Sequence, residues 1–313
     1  MKLVFCGTPR FAVPTLEALI AAGHEILLVV TQPDRPVGRA QELQAPPVKQ
    51  TALTTGLQVT QPEKIRNNAE FRAQLEAIAP DAIVVVAYGR IVPPWMLALP
   101  RFGCINLHAS LLPKYRGAAP IQWAVAMGET VTGNTTMLLE EGLDTGPILL
   151  QQTLAIEPEQ TAADLFDLLA VLGAPLVVET LAGLDKGNIT LQVQDHAKAT
   201  LAPILEREDG RMDFAARAAM ELVNRWRGFQ PWPGAFTSFD GKKLIVHGMR
   251  VTDAQAESAD AGTVVVKDKR MLVACAQNTW LELLEVQLEG KKRIAAAEFL
   301  RGLQPGHAAI RLG

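Results

Sequence analysis

The sequence predicts an α/β protein in two parts, a Rossmann-like parallel sheet followed by a small β-barrel of the OB type. The chain has 313 residues, more than one hydrophobic core usually holds, so two domains are expected. In the first half, short apolar runs without polar alternation recur between helical stretches, as is typical of strands buried on both faces of a parallel sheet. Beyond about residue 190, short strand-like runs are separated by polar turns, which favours a barrel.

The elements of the first part are predicted from these runs and from the residues that interrupt them. Four apolar runs bounded by Gly, Pro or Asp predict buried strands: residues 2–6, 25–30, 81–87 and 104–107. Four stretches with helical periodicity predict helices: residues 14–22, 69–78, 117–127 and 161–184. The first helix ends before Gly23 and the second before Pro80. Alternation of strands and helices predicts a parallel sheet.

The second part is predicted to follow a linker at 190–208, which lacks clear periodicity. This divides the chain into a first domain at 1–189 and a second at 209–313. The second domain is expected to open with a helix at 209–227. Its strands are predicted at residues 235–239, 244–249, 262–266, 272–275 and 280–286. Barrels of this type commonly bind nucleic acid.

The charge of the chain is distributed unevenly between the two parts. The formal net charge of −3 gives no global sign of nucleic-acid binding. Residues 1–203, however, carry 14 Lys and Arg against 19 Asp and Glu, a net charge of −5. Residues 204–313 carry 16 against 14, a net charge of +2. Only the C-terminal part therefore favours a polyanion as a partner.

Composition also bears on compartment and cofactors. Cys6, Cys104 and Cys275 are scattered, which predicts buried thiols in a reducing cytosol rather than disulfides. No Cys-x-x-Cys or His-x-x-x-His pair offers a metal site. We find no signal peptide and no apolar run long enough to span a membrane. The expectation is a cytoplasmic protein, a monomer by default, without a metal or a membrane partner.

Asn106, His108 and Asp144 are the residues most informative about chemistry. Residues 106 and 108 are two apart on a predicted strand, so their side chains leave the same face. An amide N–H and an imidazolium N–H can both donate to the oxyanion that forms when an amine attacks a formyl carbon. Asp144, flanked by Gly142 and Gly146, can orient the imidazole ring or accept the amine proton. The three side chains suit transfer of a one-carbon acyl group without a Ser or Cys nucleophile.

The glycine after the first strand does not predict a dinucleotide site. Gly7-Thr8-Pro9-Arg10-Phe11 lacks the spaced second and third glycines that a pyrophosphate needs. Gly7 and Pro9 are expected to shape a turn that admits one end of the substrate.

Six stretches of sequence carry a resemblance to a known family. Asn-x-His-x-Ser-Leu-Leu-Pro at 106–113 and Gly-Leu-Asp-Thr-Gly-Pro at 142–147 resemble the folate-dependent formyltransferase superfamily. Within it, four further stretches resemble the methionyl-tRNA formyltransferase family: residues 5–9, 31–36, 229–234 and 290–302. The resemblance spans nearly the whole chain. It implies transfer of a formyl group from 10-formyltetrahydrofolate to the α-amino group of methionine on initiator tRNA.

The resemblance also implies which residues bind the two substrates. Asn106, His108 and Asp144 are the catalytic residues. The expected folate contacts are Ser110, Leu111, Leu112, Pro113, Val86, Ala87, Tyr88, Gly89 and Gly142. The expected tRNA contacts are Arg35, Arg39, Arg225, Arg227, Lys291 and Lys292. In the family, the loop after residue 34 carries Gly-Lys-Lys where this chain has Ala40-Gln41-Glu42, which puts the phosphate contacts of that loop in doubt.

Three alternative functions remain open from sequence. An amino-sugar formyltransferase would share the catalytic residues and the Arg-Gly-Ala-Ala-Pro run at 116–120. A formyltetrahydrofolate deformylase would transfer the formyl group to water. A tRNA-binding protein with an inactive catalytic domain is disfavoured by the intact catalytic residues. The Gly-Lys-Lys-Arg run at 290–293 favours tRNA over a sugar substrate.

Overall fold

The structure is a computed structural model that describes residues 1–37, 41–252, 259–302 and 310–313. The strands within these ranges are β1 (Lys2–Gly7), β2 (Glu25–Val30), β3 (Arg35–Val37), β4 (Glu42–Gln44), β5 (Val59–Thr60), β6 (Ala82–Val86), β7 (Cys104–His108), β8 (Val131–Leu138), β9 (Ile148–Ala155), β10 (Phe236–Phe239), β11 (Lys242–Thr252), β12 (Val264–Lys267), β13 (Arg270–Ala274), β14 (Trp280–Leu288) and β15 (Ile294–Ala295). The helices are α1 (Val13–Ala21), α2 (Pro47–Thr54), α3 (Ala69–Ile78), α4 (Pro94–Leu97), α5 (Pro120–Ala126), α6 (Ala162–Asp185), α7 (Ala219–Gly228) and α8 (Ala296–Arg301).

The chain divides into two compact units. The first unit consists of Met1–Ile121, Val131–Ile156 and Asp164–Ile204. The second consists of Gln122–Thr130, Glu157–Ala163 and Leu205–Gly313. Residues 190–204, predicted as part of a linker, group with the first unit. Two short segments from the predicted first domain at 1–189, Gln122–Thr130 and Glu157–Ala163, group with the second unit.

The first unit is built on a seven-stranded, mostly parallel sheet with the order β5-β2-β1-β6-β7-β8-β9. Neighbouring strands among β5, β2, β1, β6 and β7 pair in parallel. Strand β8 pairs antiparallel with both β7 and β9. This confirms the Rossmann-like prediction, and the four predicted strands are β1, β2, β6 and β7. Strand β8 was not predicted, because its buried residues include Thr132, Asn134 and Thr135, which interrupt the apolar run.

Apolar residues from alternate strand positions form the core on one face of this sheet. They pack against α3 and α4, whose contributions include Phe71, Leu75 and Met96. The strands contribute Val4, Cys6, Leu28, Val30, Ile83, Val85 and Cys104. Cys6, Cys104 and Cys275 are all free and buried, as predicted. Burial raises the pKa of the Cys104 thiol and that of the Cys275 thiol to about 12, so both stay protonated at neutral pH.

Helix α6 is long and apolar enough to cross a membrane by length and composition, with a mean hydropathy of 1.9. The expectation that no such run exists was therefore wrong. Half of the apolar 18-residue stretch of this helix is nevertheless buried within the protein. A Cβ added at Gly173 would lie 2.6 Å from Leu107 of β7, and the Thr180 hydroxyl lies 2.8 Å from that of Thr136. Helix α6 thus packs closely on the sheet, as core helices do.

The second unit is a curled antiparallel sheet, a half-barrel, with the order β10-β11-β14-β13-β12 and with β15 paired to β14. The register between β11 and β14 shifts twice between Val246 and Met249, and such a bulge bends a strand. The prediction of an OB-like domain is confirmed. Its core joins residues from every strand of the order with α7 and α8, among them Leu222, Leu244, Leu283 and Phe299.

Two helices are shorter in the structure than predicted from the sequence. Of residues 209–227, only those from Ala219 onward form α7. The Asp213 carboxylate accepts the N–H groups of residues 215 and 216, and Met212 N–H donates to Phe236 O of β10 at 2.8 Å. Helix α5 begins at Pro120 rather than at 117, because backbone groups of residues 116 and 119 pair with residues 200 and 202. Local side-chain and tertiary hydrogen bonds replace helical ones at both places.

Candidate active site

Strand β7 places Asn106 and His108 two residues apart, next to β6 at the carboxyl edge of the parallel strands. Ligands of open α/β sheets bind at this edge. His108 is buried and Asn106 is half-buried. Among the residues that the structure describes, none hydrogen-bonds the Asn106 amide, whose donors are thus available to a ligand.

Backbone and carboxylate partners fix the orientation of the His108 ring. Its Nε2 lies 2.9 Å from the carbonyl oxygen of Tyr115. Because a carbonyl oxygen only accepts, Nε2 carries a hydrogen and Nδ1 is the nitrogen left for chemistry. His108 Nδ1 lies 3.6 Å from Asp144 Oδ2. Tyr115, at φ +61°, is held by its own N–H, which donates to Thr200 Oγ1 at 2.9 Å.

Asp144 is held in a left-handed backbone conformation with φ +49°. Its Oδ2 accepts the N–H of Gly117 at 2.8 Å, which fixes the carboxylate beside His108. Gly146 allows the loop to close on β8, because a Cβ there would lie 2.0 Å from Leu138 O. A Cβ at Gly142 would lie 2.2 Å from Thr145 Oγ1. The two glycines thus serve the close packing of this loop.

Side chains of β8 and β9 shape the turn at 110–113. The Thr135 hydroxyl donates to Ser110 O at 2.6 Å and accepts the Leu112 N–H at 3.2 Å. Gln151 Nε2 donates to Leu112 O and to Thr135 Oγ1, each at 2.9 Å. Ser110 and Leu112 are buried, whereas Leu111 and Pro113 are half-buried. The half-buried pair is the part of the turn that a ligand can contact.

The segment after β6 presents backbone rather than side chains. Val86 and Tyr88 are buried in the core, and burial raises the pKa of the Tyr88 phenol. Ala87 and Gly89 are exposed and have φ values of +46° and +77°. Gln32 Nε2 donates to the carbonyl oxygens of residues 88 and 89, each at 3.2 Å. The segment is therefore rigidly held with two exposed residues at the sheet edge.

The residues expected to contact tRNA have different environments. Arg35 begins the hairpin β3–β4 and is exposed, as are Lys291 and Lys292 after β14. Arg39 lies outside the described residues. The remaining two are Arg225 and Arg227.

Arg225 and Arg227 are occupied by contacts within the second unit. Arg227 is buried, and its Nη1 donates to the carbonyl oxygens of Glu157 and Pro158. Arg225 Nη2 donates to Asp209 O at 2.9 Å, and its guanidinium carbon lies 4.8 Å from the centre of the Phe229 ring. Burial lowers the pKa of both guanidinium groups. Their contacts are those of structural arginines.

Sequence reasoning missed the side chains that hold the candidate catalytic residues and the turn at 110–113 in place. Gln32, Thr135, Gln151 and Gln194 each hydrogen-bond the backbone of a residue at the site. Gln32 lies in the stretch 31–36 that carries the resemblance, although no role was predicted for it. The other three lie outside the six stretches, and Gln194 falls in the predicted linker. Within the described ranges, no group of three or more His, Cys, Asp or Glu side chains is placed to hold a metal ion.

Comparison with known proteins identifies the family. Residues 1–181 match the model of the formyl transferase family, and residues 204–304 match that of the formyl transferase C-terminal domain. A solved N-formyltransferase from Helicobacter canadensis, in complex with folinic acid and dTDP-3-aminofucose, is similar with a TM-score of 0.65 and 17% identity. That similarity covers 90% of this chain and 98% of the other. At this identity it shows a common fold.

Two curated relatives are much more similar in sequence. A methionyl-tRNA formyltransferase from Acidobacterium capsulatum is 68% identical over 302 residues, which are 96% of each chain. A methionyl-tRNA formyltransferase from Koribacter versatilis is 60% identical over 313 residues, covering 100% of this chain and 99% of the relative. The matched residues extend through both units. The chain belongs to the methionyl-tRNA formyltransferase family.

Proposed function

We propose that the protein transfers a formyl group from 10-formyltetrahydrofolate to the α-amino group of methionyl initiator tRNA, giving the formylated tRNA used to initiate translation. Family membership supports this assignment. The observation that carries the chemistry is the Asn106 amide, which no described residue hydrogen-bonds and which lies two residues along β7 from His108. His108 Nδ1 in turn lies 3.6 Å from Asp144 Oδ2. An open donor beside an imidazole–carboxylate pair is what attack by an amine on a formyl group requires.

The geometry assigns a role to each catalytic atom. The amine nitrogen attacks the formyl carbon, and the formyl oxygen becomes an oxyanion that the Asn106 amide stabilises by donation. With Nε2 committed to Tyr115, protonated His108 donates to the oxyanion through Nδ1, and Asp144 balances its charge. Asp144 takes the amine proton directly or through water. The bond from the formyl carbon to folate N10 then breaks, and N10 takes up the proton that Asp144 accepted, directly or through water.

In this proposal, the formyl donor 10-formyltetrahydrofolate binds to the residues that the sequence resemblance implied. Leu111 and Pro113 contact the folate, and Ser110 and Leu112 shape the turn that presents them. Ala87 and Gly89 offer exposed backbone groups, whereas Val86 and Tyr88 support that backbone from the core. Gly142 lets the Asp144 loop approach the pterin. Crystallised relatives with folinic acid or tetrahydrofolic acid bound share this fold, which supports a folate donor.

The tRNA contacts of this proposal are cationic side chains, of which Arg35, Lys291 and Lys292 are exposed. Arg35, Arg39, Lys291 and Lys292 contact phosphates. For Arg225 and Arg227 we propose a structural role in place of the RNA contact that the sequence suggested, since their guanidinium groups bind backbone carbonyls. The domains of this proposal remain a catalytic part and a C-terminal tRNA-binding part, acting as a cytoplasmic monomer.

A substrate competition tests the function directly. The protein is incubated with 10-formyltetrahydrofolate and, in separate reactions, with methionyl initiator tRNA, an amino-sugar nucleotide or water alone. We expect formylmethionine on the tRNA, detected by mass spectrometry after mild hydrolysis, with equal release of tetrahydrofolate. Formylation of the sugar, or tetrahydrofolate release without any acceptor, would reassign the enzyme to one of the alternative formyl acceptors.

A further inference from the structure

The segment from Gln194 to Ala202 is part of the candidate active site, although its sequence gave no sign of this. Thr200 O accepts the N–H of Arg116 at 2.9 Å, and the N–H of Ala202 donates to Arg116 O at 2.7 Å. Thr200 Oγ1 accepts the N–H of Tyr115, the residue whose carbonyl orients His108. The segment thus fixes the backbone between the turn at 110–113 and α5.

Gln194 connects this segment to the loop that carries Asp144. Its side chain is buried, with 3% exposed. Its Nε2 donates to the backbone carbonyl oxygens of Asp144 at 2.8 Å and of Gly146 at 2.7 Å. Its Oε1 accepts from Arg116 Nε at 3.1 Å and from Nη2 at 2.7 Å. Carbonyls only accept and guanidinium groups only donate, so the amide can take one orientation only.

The contacts around Asp144 form a closed ring. Gln194 holds the backbone carbonyl of Asp144, and Arg116 holds Gln194. Gly117, which follows Arg116 in the chain, donates its N–H to the Asp144 carboxylate at 2.8 Å. The backbone carbonyl of Asp144, through Gln194, and its carboxylate, through the Gly117 N–H, are therefore both held by the two-residue segment Arg116-Gly117. Arg116 is itself buried, and its Nη1 lies 3.2 Å from His196 Nδ1.

We propose that Gln194 is a positioning residue that sets the distance between the Asp144 carboxylate and His108. This inference rests on the proposed formyl transfer and adds a residue to its machinery. Asp144 has a positive φ, a conformation that non-glycine residues keep only where the surroundings impose it. The two donations from Gln194 hold the loop on both sides of this strained residue. Without them, the carboxylate shifts away from Nδ1, and small misplacements of catalytic groups lower rates strongly.

Three variants separate positioning from simple stability. Gln194→Leu removes all four hydrogen bonds. Gln194→Glu keeps acceptors for Arg116 but loses both donors to the Asp144 loop. Gln192→Leu is the matched control, since Gln192 is an exposed glutamine two residues earlier. For each full-length protein, we would measure kcat and KM for methionyl initiator tRNA, the Kd of folinic acid, and Tm.

We expect both Gln194 variants to lose at least tenfold in kcat, with KM for tRNA and the Kd of folinic acid within threefold of the parent. Gln194→Glu should keep a higher Tm than Gln194→Leu while losing as much kcat. The control should match the parent in all four quantities. The proposal is overturned if folded Gln194→Glu keeps kcat within twofold of the parent, or if kcat simply follows Tm. If Gln194→Leu does not fold, Gln194→Glu decides. Failure of the parent to formylate tRNA at all would instead refute the proposed function.

Discussion

At the scale of single residues, the candidate catalytic groups differ in how many of their hydrogen bonds the protein already uses. His108 has one ring nitrogen committed to Tyr115, and Asp144 accepts the N–H of Gly117. Asn106, by contrast, has no partner among the described residues. Two groups are thus held in place by the fold, and the third keeps its donors for the reaction.

We expect Asn106→Ala to lower kcat by about 10²–10³, because removal of one oxyanion donor typically has an effect of that size. The Kd of folinic acid and Tm should stay close to those of the parent, since no described residue depends on the amide. Initial rates of methionyl-tRNA formylation measure the effect. Asn188→Ala, at an exposed amide, is the control. A folded Asn106→Ala enzyme with a rate near that of the parent would contradict the assignment.

The sequence allowed some of these residues to be predicted and not others, for a physical reason. Asn106 and His108 are neighbours on one strand, so their joint chemistry is visible in a local motif. Gln194 acts on Asp144 across 50 residues of chain. A buried glutamine has no local pattern of its own, because its partners are backbone groups brought together only by the fold.

At the scale of elements, β8 and β9 extend the parallel sheet in order to support the turn at 110–113. Thr135 lies opposite His108 in the register of β7 and β8, and its hydroxyl bonds that turn. Strands β8 and β9 were not predicted, because only apolar runs were taken to indicate buried strands. Strand β8 instead buries several polar side chains, and that of Thr135 holds the turn by hydrogen bonds.

We expect Gln151→Leu to weaken folate binding without a large change in kcat. The variant loses the donations from Gln151 Nε2 to Leu112 O and Thr135 Oγ1, so the turn is less firmly held. A neutral hydrogen bond contributes about 0.5–1.5 kcal/mol, which corresponds to a rise in the Kd of folinic acid of roughly two- to tenfold per bond. Fluorescence titration measures this. Gln50→Leu, at an exposed side chain, serves as control. An unchanged Kd would show that the turn needs no support from β9.

Strand β14 carries a buried carboxylate whose effect on stability should depend on pH. Glu282 accepts from Arg270 at 2.5 Å and from Arg250 at 2.8 Å. The Arg270 hydrogen bond, followed by the Arg250 contact, lowers the pKa of Glu282. Because the folded pKa lies below the unfolded value of about 4.3, the stabilisation is present above pH 4.3 and is lost as pH falls through the folded pKa.

Glu282→Gln should therefore be less stable than the parent at pH 7, and the difference should shrink below about pH 4. Urea unfolding at pH 7, 5 and 3.5 measures the free energy of unfolding of both proteins. Glu285→Gln is the control, because that carboxylate is exposed and pairs with Arg293. A difference in stability that is the same at all three pH values would exclude the ionised pair as its cause.

At the scale of the whole molecule, the two compact units are not two consecutive stretches of the chain, because each is assembled from several separate segments. Length and composition predicted two parts, and the change in pattern near residue 190 lies close to the transition at residue 204. The assignment of Gln122–Thr130 and Glu157–Ala163 to the second unit could not be predicted. Such contacts depend on tertiary packing, as in the bonds from Arg227 to the backbone of residues 157 and 158.

The uneven charge of the molecule leads to a last prediction about tRNA. Residues 204–313 carry a net charge of +2 against −5 upstream, and Lys291 and Lys292 are exposed in the C-terminal part. If both contact phosphates, Lys291→Ala with Lys292→Ala should raise KM for methionyl-tRNA and reduce the slope of log KM against log salt by roughly 1–2, since each contact releases about one counterion. At saturating tRNA, kcat should not change, because the formyl site is untouched. Lys64→Ala with Lys186→Ala removes two exposed charges from the acidic part and should leave the slope unaltered. Equal slopes for both double variants would mean that net charge, rather than these two lysines, attracts the tRNA.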